Sequence, residues 1–368
     1  MRRFKFIDKS HMIVVLLLGI IGIVLIRSTS LGTATSSIYW KKQCFWIVAG
    51  TVIYLVMSAY DYKKLISKAN IFYIIGLVSL VAVLYTRPIN GATSWFRLPF
   101  MSIQPSEVVK IATILMVVRF YKKADERRTS LRDFLLSAVL IGMPVALIAK
   151  QSDLGTAFLY LPFFVIPNFL IGNKESIYVT VGGLVVVVLL VLGLVHKPDW
   201  FFFVKPYQRA RIVSYIYPDK DTANRGWQVH QSKISIGQGG LLGQGLGKGK
   251  QTKMGFLPAQ QTDFILAVAG EELGFVGMST IFGLFIFLFW RSFQIALESR
   301  DMGGSMLVVL VIGTLLVQLL FNAGMMIGLV PTTGIPCPLI SYGGSSMMTT
   351  MALLGLIQSV HNDRYVNT

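Results

Sequence analysis

Long apolar runs alternate with short polar connections along most of this chain. The runs fall at residues 12–26, 44–59, 70–86, 106–120, 133–149, 154–171, 176–195, 262–290, 304–328 and 344–361. With flanking residues, each run supplies the ~20 residues that a helix needs to cross the hydrocarbon core of a bilayer. The pattern therefore predicts an all-α integral membrane protein with about ten transmembrane helices. One connection, residues 196–261, is much longer, so we expect a single polytopic domain, 1–368, with one large loop before its eighth helix.

The composition agrees with a membrane protein and predicts its orientation. Hydrophobic residues make up 54% of the chain and charged residues 14%, against roughly a quarter charged in soluble domains. A net charge of +17 would suggest nucleic acid in a soluble chain, but here it favours anionic lipid headgroups. Most Lys and Arg of the short connections lie on the side of the two termini. This bias predicts cytoplasmic termini, an extracytoplasmic 196–261 loop, and membrane lipids but no nucleic acid as partners.

Carboxylates occur where the long polar loop meets the eighth apolar run, in the stretch FLPAQQTDFILAVAGEELG at residues 256–274. Asp263 lies at the junction. It could cap the helix N-terminus, and a capped carboxylate that stays ionised could also serve as a general base. Glu271 and Glu272 follow about 12–13 Å further along the helix. We expect them to pair with a cation or a backbone donor, and Glu272 to support the site.

A second polar cluster opens the fourth run, where Gln104, Ser106, Glu107 and Lys110 follow one another closely. Glu107 and Lys110 are spaced i, i+3, so they share one helix face and can form an ion pair. That pair could neutralise itself within the membrane or contribute to substrate binding. Trp95, in the preceding loop, could anchor the chain at the membrane interface or stack on a sugar.

Two further outer segments carry candidate side chains. In the turn before the sixth run, Asp153 or Ser152 is expected to cap the helix, and Lys150 to face the same outer side as Asp263, where a polar cavity could form. The segments 330–338 and 340–346 combine three prolines and three glycines. Irregular backbone at membrane depth lines protein or a watery cavity, so this region is a predicted cavity wall that includes Ser341 and Tyr342.

The 196–261 loop is basic and rich in glycine. Its aromatic start is typical of an amphipathic helix at the headgroup level, and its second half, GQGGLLGQGLGKGKQ, is expected to be irregular. Backbone N–H groups together with Lys205, Arg209 and Lys233 could bind phosphate, although a flexible surface loop is the alternative. No Walker A motif is present, which argues against nucleotide hydrolysis. Two cysteines and four scattered histidines give no metal-binding pattern, so metal binding stays unknown.

Taken together, the motifs resemble the SEDS family (shape, elongation, division and sporulation) along essentially the whole chain. The resemblance rests on QPSEVVK at 104–110, SDLGT at 152–156, LPAQQTDFILAVAGEELG at 257–274 and the ISYGGSS turn. QSKI at 231–234, NAGMMIG at 322–328 and TGIP at 333–336 are more similar to rod-elongation than to division members. The chain departs from the family at 260–261, where Gln-Gln replaces acidic or basic residues followed by His.

The resemblance implies a peptidoglycan glycosyltransferase of the bacterial cytoplasmic membrane that polymerises lipid II on the extracytoplasmic face. Asp263 matches the family's essential aspartate and would deprotonate the attacking sugar hydroxyl. The implied partners are a class B penicillin-binding protein and other elongation-complex proteins. No cofactor is certain, although a divalent cation (Mg²⁺ or Mn²⁺) could accompany the pyrophosphate. The alternatives are a flippase for the same lipid-linked precursor and a scaffold that only recruits the transpeptidase.

Overall fold

The protein is helical almost throughout the residues that the computed structural model describes, which are 6–30, 37–87, 93–98, 101–125, 131–171, 174, 177–183, 185, 215, 225–257 and 259–366. Two short antiparallel strands, β1 (Phe96–Arg97) and β2 (Ser102–Ile103), form a small hairpin. The helices are α1 (Lys9–Thr29), α2 (Ser37–Ala59), α3 (Tyr62–Ser67), α4 (Ala69–Val83), α5 (Pro105–Asp125), α6 (Leu131–Lys150), α7 (Leu154–Phe158), α8 (Leu161–Ile171), α9 (Arg225–Gly239), α10 (Lys250–Lys253), α11 (Ile265–Leu297), α12 (Met302–Met326) and α13 (Gly344–Val366).

The apolar runs of the sequence correspond to helices wherever they are described. Among the described residues, six segments are long and apolar enough to cross a membrane: α1, α2, α6, α7 with α8, α11 and α12. Helix α4 is also apolar but has only 15 residues. Most of the run 176–195 lies outside the described residues, and its described part, 177–183, is helical. The predicted amphipathic helix at the start of the 196–261 loop also lies outside them.

Two of the predicted spans, α5 and α13, are more polar than the others because they face protein. Helix α13 packs against α2, α5, α11 and α12, and nearly all of its residues are buried. Its polar groups bond to neighbouring helices: Gln358 accepts from the Tyr54 hydroxyl at 3.2 Å, and Asn362 donates to the carbonyl of Ser58 at 3.0 Å. A helix surrounded by helices can carry such groups because each finds a partner inside the protein.

Helix α11 is interrupted at Gly274, whose φ of 64° is left-handed. The glycine-rich segment 240–249 is irregular as predicted, although the ends of the predicted stretch, 237–239 and 250–251, are helical. This segment lies against the break. The N–H of Gln244 donates to the carbonyl of Glu271 at 2.9 Å, and the N–H of Phe275 donates to that of Gly240 at 2.9 Å. The loop thus replaces helical hydrogen bonds that the break removes. The part of α11 after the break, 275–297, is about 34 Å long and could cross a bilayer alone.

An ion pair joins the start of α1 to the C-terminal part of α11. Asp8 caps α1 by accepting from the N–H of His11 at 3.0 Å, and Arg291 donates to its other oxygen at 2.5 Å. Burial alone would raise the pKa of Asp8, but hydrogen bonds from Ser10, His11 and Arg291 outweigh burial and hold the pKa at about 2. The carboxylate therefore stays ionised and fixes the start of α1.

Candidate active site

A polar cavity of about 410 Å³ lies where five separate segments of the chain meet. It is lined by the loop before β1, the start of α5, the start of α7, the turn before α11 and the segment between α12 and α13. Six residues singled out in the sequence line it: Trp95, Gln104, Glu107, Asp153, Asp263 and Tyr342. These residues come from separate motifs of the sequence, and the fold brings them to one cavity.

Asp263 lies in a tight turn immediately before α11. Ala259, at φ 49°, accepts hydrogen bonds from the N–H groups of Asp263 and Phe264 at 3.0 and 3.3 Å. Phe264 occupies the N-cap position, so the interpretation of Asp263 as the N-cap is wrong by one residue. A Cβ at Gly334 would lie 3.4 Å from Asp263 Oδ2. Glycine at that position leaves room beside the carboxylate.

The backbone of this turn is held by residues from two other segments. Ser341 Oγ donates to the carbonyl of Thr262 at 2.5 Å, and the N–H of Tyr342 donates to that of Gln261 at 2.9 Å. Asn322 Nδ2, on α12, donates to the carbonyl of Asp263 at 3.0 Å. Ser341 therefore supports the wall without lining it. Asn322 is not among the residues singled out from the sequence, although an amide inside an apolar run is a usable signal.

Asp153 connects the start of α7 to the start of α5. Its Oδ1 accepts from the N–H of Thr156 at 3.1 Å, which confirms the predicted helix cap. Its Oδ2 accepts from Thr156 Oγ1 at 2.8 Å and from Gln104 Nε2 at 2.7 Å. Three donors thus engage this carboxylate, which makes it a structural acceptor at the cavity wall.

Glu107 and Lys110 form the predicted ion pair, with Lys110 Nζ 2.9 Å from Glu107 Oε1. Both side chains are buried, and Glu107 reaches the cavity wall while Lys110 lies behind it. The second oxygen, Oε2, has no hydrogen-bond partner among the described residues. Ser106 does not line the cavity, and its carbonyl accepts from the Tyr160 hydroxyl at 3.1 Å.

Two aromatic side chains border the cavity. Trp95 lies on its wall and is half-buried. The Tyr342 ring packs edge-on against Tyr39 at the start of α2, with 4.9 Å between ring centroids. The two rings add aromatic surface to a wall that combines polar side chains with Leu159, Ile335 and Pro336.

The Lys and Arg side chains that were predicted to contribute to the site do not line the described part of the cavity wall. Lys150 is exposed at the end of α6, and Lys233 is exposed on α9, where its Nζ lies beside Gly328. Lys205 and Arg209 lie outside the described residues. The described wall therefore carries three carboxylates and neither Lys nor Arg. Over the same residues, no group of three or more His, Cys, Asp or Glu is close enough to hold a metal ion by itself.

Glu271 and Glu272 lie away from the cavity and bind the glycine-rich loop. Glu271 accepts from the N–H groups of Gln251 and Thr252 at 2.7 and 3.1 Å. Glu272 accepts from Ser28 Oγ at 2.5 Å, and Ser28 Oγ in turn accepts from the N–H of Gly247 at 2.7 Å. The expectation of backbone donors is confirmed. The N–H groups of Gly247, Gln251 and Thr252 are therefore occupied within the protein, and phosphate binding by this loop stays a prediction.

Comparison with known proteins agrees with this geometry. A family model described as "Cell cycle protein", for FtsW, RodA and SpoVE, matches residues 8–366. The chain belongs to this family, which is the SEDS family. It is 35% identical to the peptidoglycan glycosyltransferase MrdB of Escherichia coli K12, over 98% of this chain and 96% of that one. It is also 35% identical to the stage V sporulation protein E of Bacillus subtilis, over 96% of each.

Solved structures show the same fold. A chain from a structure described as "structural coordination of polymerization and crosslinking by a peptidoglycan synthase complex" matches with a TM-score of 0.79 and 30% identity, over 98% of this chain and 99% of that one. The rod-shape-determining protein RodA of Thermus thermophilus matches with a TM-score of 0.70 and 26% identity, over 98% of both chains. The helical membrane architecture predicted from the sequence is therefore confirmed at the level of the fold.

Proposed function

We propose that this chain polymerises lipid II into glycan strands during cell-wall elongation, with Asp263 as the general base. Peptidoglycan glycosyltransferase activity follows from membership of the family and from relatives of that name that align over nearly the whole chain. The observation that supports the site is the cavity that brings Asp263 together with Trp95, Gln104, Asp153 and Tyr342.

The finer topology is also a proposal. The sequence supports ten spans, cytoplasmic termini and a single polytopic domain whose 196–261 loop is extracytoplasmic. Lipid II presents its disaccharide outside the cytoplasmic membrane, and the cavity is formed from segments that this topology places on that side. The substrate tails would then run between the helices while the sugars enter the cavity.

The reaction needs one proton acceptor near the attacking hydroxyl. The 4-hydroxyl oxygen of one disaccharide forms a bond to the anomeric carbon of another, and the bond from that carbon to the lipid pyrophosphate breaks. Asp263 takes the hydroxyl proton, and the pyrophosphate leaves with the bonding electrons. A single displacement inverts the anomeric centre, which converts an α-linked donor into a β-linked glycan.

Three carboxylates lie on the described wall, and Asp263 is the one that matches the family's essential aspartate. Asp153 already accepts three hydrogen bonds, and one oxygen of Glu107 is bound to Lys110. Asp263 lines the cavity beside Gly334. A base must reach the proton that it removes, and a position on the cavity wall allows this.

The remaining wall residues are proposed to bind the sugars. Trp95 and Tyr342 can pack against the apolar faces of pyranose rings, while Gln104 and the hydroxyls of Ser345 and Ser346 can bond to sugar hydroxyls. Lys150, Lys205, Arg209 and Lys233 remain sequence-based candidates for contacts outside the described wall.

A divalent cation fits the charge of this cavity. The wall offers carboxylates and one buried oxygen, Glu107 Oε2, that lacks a partner among the described residues. Mg²⁺ is commonly held by one or two carboxylates together with substrate phosphates. Glu107 would hold it through Oε2, and when bound it would offset the charge of the pyrophosphate.

We further propose a class B penicillin-binding protein as the partner, together with other elongation-complex proteins. Support comes from the similarity to a chain in a complex that coordinates polymerisation with crosslinking. Such a partner would crosslink the glycan that this chain makes.

The test is polymerisation of purified lipid II by the detergent-solubilised complex, with the transpeptidase serine of the partner removed. Wild type is compared with Asp263→Asn and with a matched control, Asp61→Asn. Asp61 caps α3 by accepting from the N–H of Lys63 at 2.9 Å, away from the cavity, and Asn caps helices as well as Asp does.

Glycan from wild type and Asp61→Asn, but none from a folded and assembled Asp263→Asn, would support Asp263 as the base. Equal glycan from Asp263→Asn would refute that role. No glycan from any of the three, with the complexes intact, would instead favour a flippase for the lipid-linked precursor.

A further inference from the structure

Asn322 is a fully buried amide on α12 that bonds outside its own helix. Its Nδ2 donates to the carbonyl of Asp263 at 3.0 Å and to the carbonyl of Ile335 at 2.7 Å. Both acceptors belong to residues that line the cavity, and they come from different segments. A single side chain therefore joins the backbone of the proposed base to the backbone of the facing wall.

The orientation of this amide is fixed by its partners. Both neighbours are carbonyl oxygens, which only accept, so the NH₂ group and not the oxygen must face them. The amide oxygen Oδ1 is buried and has no partner within the described part of the chain. An unpaired buried acceptor lowers stability. The side chain is thus better suited to supplying two donors than to stabilising α12.

Other polar residues on α12 behave differently. Thr314 Oγ1 donates to the carbonyl of Leu310 at 2.7 Å, within the same helix. Gln318, one turn before Asn322, donates to the carbonyl of Pro336 at 2.9 Å. Gln318 thus holds the segment between α12 and α13 but does not reach the turn that carries Asp263. Of these three side chains, Asn322 is the one that connects both segments.

We propose that Asn322 is a positioning residue for glycosyl transfer, and this rests on the proposed role of Asp263. By holding the two carbonyls together, it sets the separation between the turn that carries Asp263 and the facing wall at Ile335. Ser341 and the N–H of Tyr342 hold the same turn through Thr262 and Gln261. Loss of Asn322 should therefore displace the base without unfolding the turn.

The experiment compares Asn322→Leu with two matched controls in the intact complex. Leucine has a similar size but no donors. Gln318→Leu releases only the outer segment, and Thr314→Val removes an intrahelical bond of α12. Initial rates of lipid II polymerisation give kcat and KM, and amide hydrogen exchange is followed in peptides covering 259–266 and 337–342. Asp263→Asn is assayed in parallel.

We expect Asn322→Leu to lower kcat by about 10- to 100-fold with KM changed by less than about twofold, because misplacing a catalytic group by about 1 Å has this effect. Exchange in 259–266 should accelerate, since the N–H groups of Asp263 and Phe264 bond within that turn. Gln318→Leu should accelerate exchange only in 337–342, and Thr314→Val should change neither peptide nor kcat.

The outcomes separate the two proposals. If Asp263→Asn is inactive while Asn322→Leu keeps the wild-type kcat, the positioning role is refuted and the base remains. If Asp263→Asn is fully active, the proposed base fails, and the positioning role fails with it. Should Asn322→Leu not assemble, Asn322→Ser is assayed instead, and unchanged exchange in 259–266 would refute the proposal without any activity measurement.

Discussion

Replacing Gly243 by alanine should test how the glycine-rich loop supports α11. Gly243 has φ 79°, and a Cβ there would collide with the carbonyl of Glu272 and lie 2.7 Å from the nitrogen of Gly274. Neither backbone group can move without disturbing the break in α11. The loop must therefore shift away, which removes the hydrogen bonds from the N–H groups of Gln244 and Gly245 to the carbonyls of Glu271 and Glu272 at 2.9 and 3.0 Å.

The expected decrease in the free energy of unfolding has two parts. A left-handed conformation costs a non-glycine residue about 1–2 kcal/mol, and each lost backbone hydrogen bond costs about 0.5–1.5 kcal/mol. Gly243→Ala should therefore lower the free energy of unfolding by about 3 kcal/mol. Gly240 provides the control, since it has φ 53° but no atom within 4 Å of its Cβ position. Gly240→Ala should lower the free energy of unfolding only by the cost of the left-handed conformation, about 1–2 kcal/mol.

A third substitution should stabilise the protein. Gly237 lies within α9, and its Cβ position is also open. Gly237→Ala should stabilise the protein by about 0.5–1 kcal/mol, because alanine is the better helix former. The assay is unfolding by SDS titration in mixed micelles, read by tryptophan fluorescence. Equal losses for Gly243→Ala and Gly240→Ala would show that the close approach to Glu272 contributes nothing.

Two further predictions concern charge. The pKa of Asp8 is lowered from 3.8 to about 2 in the folded protein, so its contribution is fully present above about pH 4 and is lost as the pH falls through about 2. Asp8→Asn should therefore lower the melting temperature clearly at pH 7 and much less at pH 2.5, and an equal drop at both pH values would contradict this account. Chelation by EDTA should stop polymerisation, added Mg²⁺ should restore it, and Glu107→Gln should raise the Mg²⁺ concentration required, whereas full activity in EDTA would exclude a required cation.

Local patterns were enough to predict the features that depend on neighbours in sequence. The apolar runs gave the helices because a span must be apolar over its full length. The Glu107–Lys110 pair followed from i, i+3 spacing, and the Asp153 cap from a carboxylate just before a helix. Each of these contacts is made within a few residues of chain.

Features that depend on distant contacts could not be predicted in the same way. Ser28 donates a hydrogen bond to Glu272, which lies 244 positions later in the sequence. Because Ser28 also accepts from the N–H of Gly247, this contact links Glu272 to the glycine-rich loop. The break at Gly274 is stable because the loop lies against it, and nothing local distinguishes Gly274 from other glycines in apolar runs. Asn322 likewise gains its role only when Asp263 and Ile335 are brought beside it. A buried amide in an apolar run indicates that a hydrogen-bond partner lies nearby, but the sequence does not show which residue that partner is.

The charge of the cavity bears on where the pyrophosphate lies. The described wall carries carboxylates and no side-chain cation, so an anionic leaving group placed directly against Asp263 would be repelled. An inverting displacement avoids this conflict, because the nucleophile and the leaving group occupy opposite sides of the anomeric carbon. With Asp263 beside the attacking hydroxyl, the pyrophosphate is expected on the far side of the donor sugar. There it could share a cation with Glu107 or meet basic residues of the 196–261 loop, such as Lys205 and Arg209. The stereochemistry proposed for the reaction and the acidic wall around its base are therefore compatible.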